Sequence, residues 1–488
     1  MNYGFVIDNR RCIGCHACTV ACKAEHDVPL GVNRTWVKYI EKGTFPDTRR
    51  FFSVLRCNHC EDAPCVTICP VTALFTRQDG IVDFDPNRCI GCKACMQACP
   101  YDALHIDPRT DTAAKCNFCA HRIEASLEPP CVVVCPERAI IAGDMDDPAA
   151  EITRILQIEK VSVRKPEKGT RPKVFYIDAD QASLVPGATV VPTTYVSSEA
   201  REPGVAPRAP SGGGHAGRDE EKEARRVYDT GQTHQDSWGW KVSAYLFTKS
   251  IASGCLILTP FLWGWGNPAY EARLRLAALT ICLILLGVTG ALLVADLKRP
   301  GRFLWVLTRP QWRSWLTRGS YILLAFGAVA TGLLAAHQLG LRALWNALAL
   351  PAVALGAAAA CYTAFLFWQS KGRDLWQSPL LPLHLLVQAL IAGLSSLLLF
   401  RAASPEPLPS GEGALEGWLW RLLLANAAMI VIELTAIHQT QDATAAARWA
   451  RVGRPGRTLL WGVMACGHAI PLALLMIPSV AAAAAASV

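Results

Sequence analysis

Of the 488 residues, 20 are cysteines, and sixteen of these fall before residue 136. They form four groups: Cys12, Cys15, Cys18 and Cys22; Cys57, Cys60, Cys65 and Cys69; Cys89, Cys92, Cys95 and Cys99; Cys116, Cys119, Cys131 and Cys135. The last cysteine precedes proline in three groups, at Pro70, Pro100 and Pro136, whereas Cys22 precedes Lys23. Three chemistries use cysteine this densely. Disulfide frameworks suit small secreted domains, but the opening MNYGFVIDNRRC lacks the apolar core of a secretory signal. Arg10 and Arg11 run straight into cysteine-rich sequence and are not read as a twin-arginine signal. Zinc takes Cys-x-x-Cys pairs, yet a zinc ribbon leaves the third and fourth cysteines and the Cys-Pro ending unexplained. A cubane of four irons and four sulfides takes one thiolate per iron. Two-residue spacing lets three sulfurs of one tight loop share a cluster, while the last cysteine begins a new element and reaches the neighbouring cluster. On that reading sixteen cysteines hold four 4Fe–4S clusters. Every ligand position is a cysteine, so no Rieske-type histidine is required. His16, His26, His59 and His121 are expected at the surface or just behind the ligands. Cys255, Cys282, Cys361 and Cys466 lie scattered in apolar sequence, where lone cysteines behave as small hydrophobes.

What must position these groups changes along the chain. Hydrophobic residues make up 51% of it, but the first half is polar and long apolar runs dominate from Val242 onward. Between them, Glu199 to Arg226 is rich in Pro, Gly and mixed charge, too polar to bury a core of its own. The expected organisation is a cysteine-rich domain over 1–190, a flexible linker over 191–240 and a membrane domain over 241–488. Seven apolar stretches fill the last part: Val242–Trp265, Leu276–Ala295, Ser320–Leu339, Leu344–Trp368, Leu380–Phe400, Trp418–Ile437 and Leu459–Val480. Each has roughly the 20 residues a helix needs to cross hydrocarbon, and seven in succession with so little charge exclude ordinary buried helices. Trp263, Trp265, Trp345, Trp368 and Trp418 sit near the expected ends, as interfacial aromatics do.

The net charge of +8 is spent around these spans, which suits membrane topology and not nucleic-acid binding. One side carries sixteen Lys and Arg in the linker end and the loops near Lys298–Arg318, Lys371–Arg373 and Arg448–Arg457; the other carries five, Arg273, Arg275, Arg342, Arg401 and Arg421. The positive-inside rule makes the first side cytoplasmic and puts the cysteine-rich domain there, on the inner face of the cytoplasmic membrane. Ionisable residues inside a bilayer are costly and mark function. Tyr245, Lys249, Asp296, Tyr362, His384, Glu433 and His438 all fall in the cytoplasmic half of their spans, with His468 near mid-depth. A quinone headgroup needs hydrogen-bond partners for its carbonyls and a proton route, and this set is read as its site. The plainer alternatives are a snorkelling Lys249, an Asp296 paired with Arg299 or Arg302, and a Glu433 paired within the bundle. A haem between His384 and His468 is disfavoured because they lie at different depths.

Residues 1 to about 190 resemble the four-cluster ferredoxin subunits of molybdopterin oxidoreductases (polysulfide, dimethyl sulfoxide and nitrate reductases, formate dehydrogenases). All four motifs match, including CNFCAHRIEASLEPPCVVVCP from Cys116 to Pro136. The resemblance implies that outer groups pair with each other and inner groups likewise. Cys12, Cys15, Cys18 and Cys135 would hold one cluster, and Cys22, Cys116, Cys119 and Cys131 its partner. Cys57, Cys60, Cys65 and Cys99 would hold a third, and Cys69, Cys89, Cys92 and Cys95 a fourth, the one nearest the membrane in the family. Some relatives lack one cysteine of the third group and carry a three-iron cluster; with Cys92 present, four irons are expected.

The second half resembles the polysulfide reductase membrane-subunit family (NrfD/PsrC type), through LLVADLKRPGRFLWVLTRPQWRSWLTRGSY from Leu292 and YTAFLFWQSKGRDLWQSPLLPLHLL from Tyr362. That family binds quinone, usually without haem, and usually has eight spans. The expected fold is thus an α+β double ferredoxin-like iron–sulfur domain followed by an all-α transmembrane bundle of about seven spans. The expected function is an electron-transfer and membrane-anchor subunit linking a separate catalytic subunit, of molybdopterin type, to menaquinone or ubiquinone in the lipid bilayer. No Rossmann, flavin or molybdopterin signature is present, so the redox substrate is handled elsewhere. The alternatives are a hydrogenase or formate dehydrogenase partner, an ion-translocating energy-converting complex, or an iron–sulfur sensor on an anchor. A sensor needs one labile cluster, and four fully liganded ones read as a wire.

Overall fold

The computed structural model describes residues 1–43, 46–185, 225–228, 238–262, 268–402, 414–436 and 440–475. The chain forms two compact units, Met1–Ser237 with Ser370–Arg373, and Trp238–Gln369 with Asp374–Val488.

In the first unit the elements run β1 (Tyr3–Asp8), α1 (Ala17–His26), β2 (Thr35–Lys42), β3 (Arg49–Arg56), α2 (Pro64–Ile68), β4 (Leu74–Thr76), β5 (Val82–Phe84), α3 (Ala94–Ala98), β6 (Leu104–Asp107) and β7 (Thr112–Lys115). They continue with α4 (Ala120–Glu124), α5 (Pro130–Val133), β8 (Ile140–Asp144), α6 (Glu151–Ile158), β9 (Val161–Ser162), β10 (Val174–Ile177), α7 (Gln181–Leu184) and β11 (Arg225–Tyr228). The main sheet has the order β8-β1-β10-β9. β1 runs parallel to β10, with Phe5 opposite Val174, and antiparallel to β8, with Phe5 opposite Ala142. Its apolar run Phe5-Val6-Ile7 is wholly buried, as a central strand covered on both faces must be. β4–β5 and β6–β7 are hairpins that separate the cysteine groups. One core of Phe5, Ile7, Val37, Val54, Phe118, Ile140 and Val174 packs against Cys18 and Cys131.

The stretch expected to be a flexible linker contains a strand. β11 pairs antiparallel with β2, Arg226 opposite Ile40, and completes a β11-β2-β3 sheet. Its Tyr228 ring packs 4.9 Å from Tyr39 and 5.0 Å from His16. Composition over a long window hid this short strand, because an edge of an existing sheet supplies the hydrogen bonds that four residues could not make alone.

The second unit is helical: α8 (Trp240–Leu258), α9 (Pro268–Ala295), α10 (Trp305–Thr308), α11 (Trp315–Gln338), α12 (Arg342–Gln369), α13 (Leu381–Ala402), α14 (Ala414–Thr435), α15 (Gln441–Val452), α16 (Arg454–Met464), a π-helical turn over Ala465–Ala469, and α17 (Ile470–Leu475). Among the described residues seven segments are long and apolar enough to span a bilayer: Trp240–Phe261, Pro268–Ala295, Trp315–Gln338, Arg342–Gln369, Leu381–Ala402, Leu415–Thr435 and Gly456–Leu475. The protein is a multi-pass membrane protein. Trp418 is 54% exposed, whereas Trp345, in the first turn of α12, is buried. It lies 7% exposed in the helical core, with the Arg275 guanidinium 5.7 Å above its ring. Trp263 and Trp265 lie outside the described residues.

Small residues let α8 approach its neighbours. A Cβ on Gly254 would stand 1.9 Å from the Ala389 carbonyl oxygen, and one on Gly393 would stand 2.5 Å from the Gly254 carbonyl carbon. α8 and α13 therefore cross backbone to backbone, the packing that lipid-embedded helices use in place of a hydrophobic drive. Gly254→Leu should cost about 1–3 kcal/mol through overpacking, read as a lower Tm of the purified protein in detergent. Gly287→Leu, where a Cβ meets nothing within 4 Å, should leave Tm unchanged.

Candidate functional sites

Each cysteine group is built from a loop, a short helix and a turn. In the first and third groups Gly14 and Gly91 take φ of +71° and +70°, and His16 and Lys93 take +62° and +60° before α1 and α3. The loop is thus repeated residue for residue. Gly14 has a second reason to be glycine, since a Cβ there would meet the Phe52 ring at 2.3 Å. In the second and fourth groups Pro64 and Pro130 start α2 and α5, where a missing N–H costs nothing. The third cysteine of each group, Cys18, Cys65, Cys95 or Cys131, sits on the helix. Cys69 and Cys99 end their helices in extended backbone, which the following proline enforces. The turn that follows aims a backbone N–H back at the sulfur. Ala73 donates to Cys69 Sγ and Ala139 to Cys135 Sγ, both at 3.2 Å. Without a proline, α1 continues past Cys22 to His26. Cys18 and Cys22, four apart, then share one helix face.

The thiols converge as four sets. One cavity is lined by Cys12, Cys15, Cys18 and Cys135 with Val37, Val54 and Ile140. Another is lined by Cys69, Cys89, Cys92 and Cys95 with Leu74, Phe84 and Ile90. Cys116 and Cys131 act electrostatically on Cys22, and all three act on Cys119. Cys57, Cys60 and Cys99 act together on Cys65. Each of the four cysteines that close a group thus stands with the first three of another. Neighbouring sets also touch electrostatically: Cys18 with Cys131, Cys116 with Cys57, and Cys95 with Cys65. The sets follow one another in a line, ordered from Cys12 through Cys22 and Cys57 to Cys69.

These sites fit clusters in two respects. Among the described residues no three Cys, His, Asp or Glu side chains gather to hold a single metal ion, whereas each set supplies four thiols, one for each iron of a cubane. Burial also disfavours the ionised thiol, pushing Cys18 up to about 11 and Cys22 up to about 12. Thiolates here need positive charge beside them, which iron supplies while protons leave.

The histidines divide. His121 is exposed and meets Glu25 at 2.8 Å, and His59 is fully buried under Phe118. His26 stands with Nε2 3.1 Å from Cys119 Sγ, and burial, helped by Arg34 and His121, pushes it down to about 4. Arg56, missed in the sequence, lies 1% exposed with Nη1 donating to Cys131 Sγ at 3.2 Å. Its one sequence signal is that it precedes Cys57.

In the membrane unit the expected quinone residues form two clusters. Tyr245, Lys249 and Tyr362 are all buried where α8 meets α12. Lys249 Nζ donates to Thr363 Oγ1 at 2.5 Å and to the Ala360 carbonyl at 3.3 Å, and it lies 4.5 Å from the centre of the Tyr362 ring. It does not snorkel to an interface. Gly319 leaves room for the Tyr362 ring, which a Cβ would strike at 2.2 Å. Asp296 acts electrostatically on Tyr245. The second cluster joins α13 to α14. His384 Nδ1 lies 3.1 Å from Glu433 Oε2, Ser378 donates to Glu433 Oε1, and Gln388 Nε2 lies 3.1 Å from His384 Nε2. Gln388 and Asn426 line a cavity of about 540 Å³, and Asn426 also meets His468 Nε2 at 2.9 Å. His384 and His468 thus have separate partners and do not face each other across a haem. His438 lies outside the described residues.

Residues 229–488 match the family described as "Polysulphide reductase, NrfD". The chain belongs to this NrfD family. Two further matches, both described as "4Fe-4S dicluster domain", cover residues 11–74 and 48–145. The chain therefore joins an iron–sulfur part to an NrfD part in the manner of a fusion, and it carries iron–sulfur clusters. Its relatives match the first part. A tetrathionate reductase subunit of Salmonella typhimurium is 46% identical over 188 residues, 38% of this chain and 75% of the relative. A polysulfide reductase chain of Wolinella succinogenes is 41% identical over 180 residues, 36% of this chain and 93% of the relative. The arsenate respiratory reductase iron–sulfur subunit ArrB of a Shewanella species is 34% identical over 227 residues, 36% of this chain and 96% of the relative.

The crossed sets make a spectroscopic prediction. Cys22→Ser should lose or alter the same electron paramagnetic resonance signal as Cys119→Ser, and leave intact the one that Cys15→Ser removes. Cys135→Ser should do the opposite. A Cys22→Ser spectrum matching Cys15→Ser would refute the crossing.

Proposed function

We propose that this NrfD-family chain is the electron-transfer and membrane subunit of a respiratory oxidoreductase, working between a separate catalytic subunit of molybdopterin type and membrane menaquinone or ubiquinone. The observation that carries the proposal is the line of four four-thiol sets in the same chain as seven spans with buried ionisable residues. Cys12, Cys15, Cys18 and Cys135 hold the first 4Fe–4S cluster, and Cys22, Cys116, Cys119 and Cys131 the second. Cys57, Cys60, Cys65 and Cys99 hold the third, and Cys69, Cys89, Cys92 and Cys95 the fourth. These clusters supply one-electron steps between the two-electron chemistries at either end. Residues 1–190 are the cluster domain and 241–488 the quinone domain. The Lys and Arg asymmetry of the loops supports a cytoplasmic position for the cluster domain.

The quinone is met by Lys249, Tyr245 and Tyr362, with Asp296 nearby, and its protons by His384 and Glu433. Lys249 and the tyrosines offer donors to a carbonyl oxygen in a dry site, where hydrogen bonds are strongest. The His384–Glu433 pair can hold and pass a proton at Nδ1. A second reading, ion translocation, is favoured by one cavity lined by Gln388 and Asn426, of which Gln388 meets His384, the partner of Glu433, and Asn426 meets His468.

The purified chain should carry about sixteen iron atoms, four for each cubane, and a quinol analogue should reduce its clusters. Lys249→Met should slow that reduction at least tenfold with iron content unchanged, and copurification should bring a large molybdenum-containing subunit. Iron near eight, or wild-type rates in the Lys249 variant, would overturn the respective part of the proposal. Proton movement in vesicles during quinol turnover would establish the second reading.

A further inference from the structure

A buried arginine stands between the first two thiol sets with no carboxylate to neutralise it. Arg56 ends β3 and is 1% exposed. Its guanidinium lies 4.5 Å over the Phe5 ring, so one face is closed by an aromatic surface. Nη1 donates to Cys131 Sγ at 3.2 Å, while Nε and Nη2 have no hydrogen-bond partner among the described residues. The sulfurs that act on it electrostatically are Cys131, Cys116 and Cys18, two from the second set and one from the first. Among the described residues it forms no ion pair with Asp or Glu. A buried cation left this way is strongly destabilising unless other negative charge compensates it. The thiolates are the compensation at hand, and a cluster ligated by them gains one further negative charge on reduction.

We propose that Arg56 is the shared countercharge of the two outer clusters, holding both of their reduction potentials up. The inference rests on the cluster assignment above. A fixed cation in a low-dielectric interior favours the more negative, reduced form of each neighbour. Because it stands between the two sets, it also shifts them together, so their difference in potential is protected while both are raised. Lys115 does not share this role: its Nζ is spent on the carbonyl oxygens of Val82 and Cys116.

The test is a potentiometric titration of the purified full chain, followed by electron paramagnetic resonance, for wild type, Arg56→Gln and Arg56→Lys. The two outer signals are those lost in Cys15→Ser and Cys119→Ser. In Arg56→Gln each should become harder to reduce by at least tenfold in its equilibrium constant, about 59 mV for a one-electron couple. The two inner midpoints should not move. In Arg56→Lys the outer midpoints should stay near wild type. If Arg56→Gln loses the outer clusters while Arg56→Lys keeps them at wild-type potentials, the requirement for the cation is equally supported. The inference is overturned if Arg56→Gln retains all clusters with unmoved midpoints, if Lys shifts them as far as Gln does, or if both variants lose them. Wild-type protein holding fewer than four clusters would instead overturn the cluster assignment itself.

Discussion

A buried thiol does not ionise unless positive charge stands beside it, and this unit places sixteen thiols within its first 135 residues. Burial pushes Cys18, Cys22 and Cys116 well above the ordinary thiol range. The fold is arranged around meeting that demand. Iron supplies most of the charge, and the chain adds donors where the ligands leave lone pairs. The Cys-Pro turns direct the N–H groups of Ala73 and Ala139 onto their own sulfurs, and Arg56 reaches Cys131. Hydrogen bonds to cluster sulfurs are among the main controls on potential. The turns that close the motifs therefore set redox properties as well as shape.

The same demand explains the topology. A set completed by a cysteine from a distant group requires the two ends of the unit to meet. β1 lies between β8 and β10, bringing residues 3–8 against 140–144 and 174–177. Cys22 then reaches Cys116, Cys119 and Cys131, and Cys135 returns to Cys12, Cys15 and Cys18. Sheet and crossed cysteines constrain each other. A slip in the register of β1 would turn Phe5 and Ile7 to the opposite covered face, where Val6 now packs, and pull the loop that begins at Cys12 away from Cys135.

Much of this was legible beforehand, for identifiable reasons. Cysteine spacing is a short-range signal with few physical meanings, and span length is fixed by membrane thickness. What stayed hidden depended on partners far away in sequence. β11 exists only because β2 offers an edge. Trp345 lies near a helix end, as its position suggests, but its burial against Arg275 and the helical core depends on partners the sequence does not show. Arg56 carries no motif, since its role comes from Phe5, Cys18 and Cys131 converging on it from three other elements. The residues read as one quinone site are grouped by their position along the spans, which does not give azimuth around a bundle. Lys249 and the tyrosines face one another across α8 and α12, while His384 and Glu433 face each other across α13 and α14.

Arg56 and Lys249 pose the same electrostatic problem with different answers. Each is a basic side chain almost without solvent, at 1% and 2% exposure, and each leans on an aromatic ring. Arg56 has sulfur beside it, so its countercharge is built into the protein. Among the described residues Lys249 meets the Thr363 hydroxyl, the Ala360 carbonyl and the Tyr362 face, which are neutral. Neutral oxygens solvate an ammonium but do not cancel its charge. A ligand oxygen that gains electron density on reduction would complete the site, and it would be held more tightly reduced than oxidised. On the proposed reading, the membrane unit thus takes its missing negative charge from the quinone. The first unit takes its own from sulfur, which stands beside Arg56.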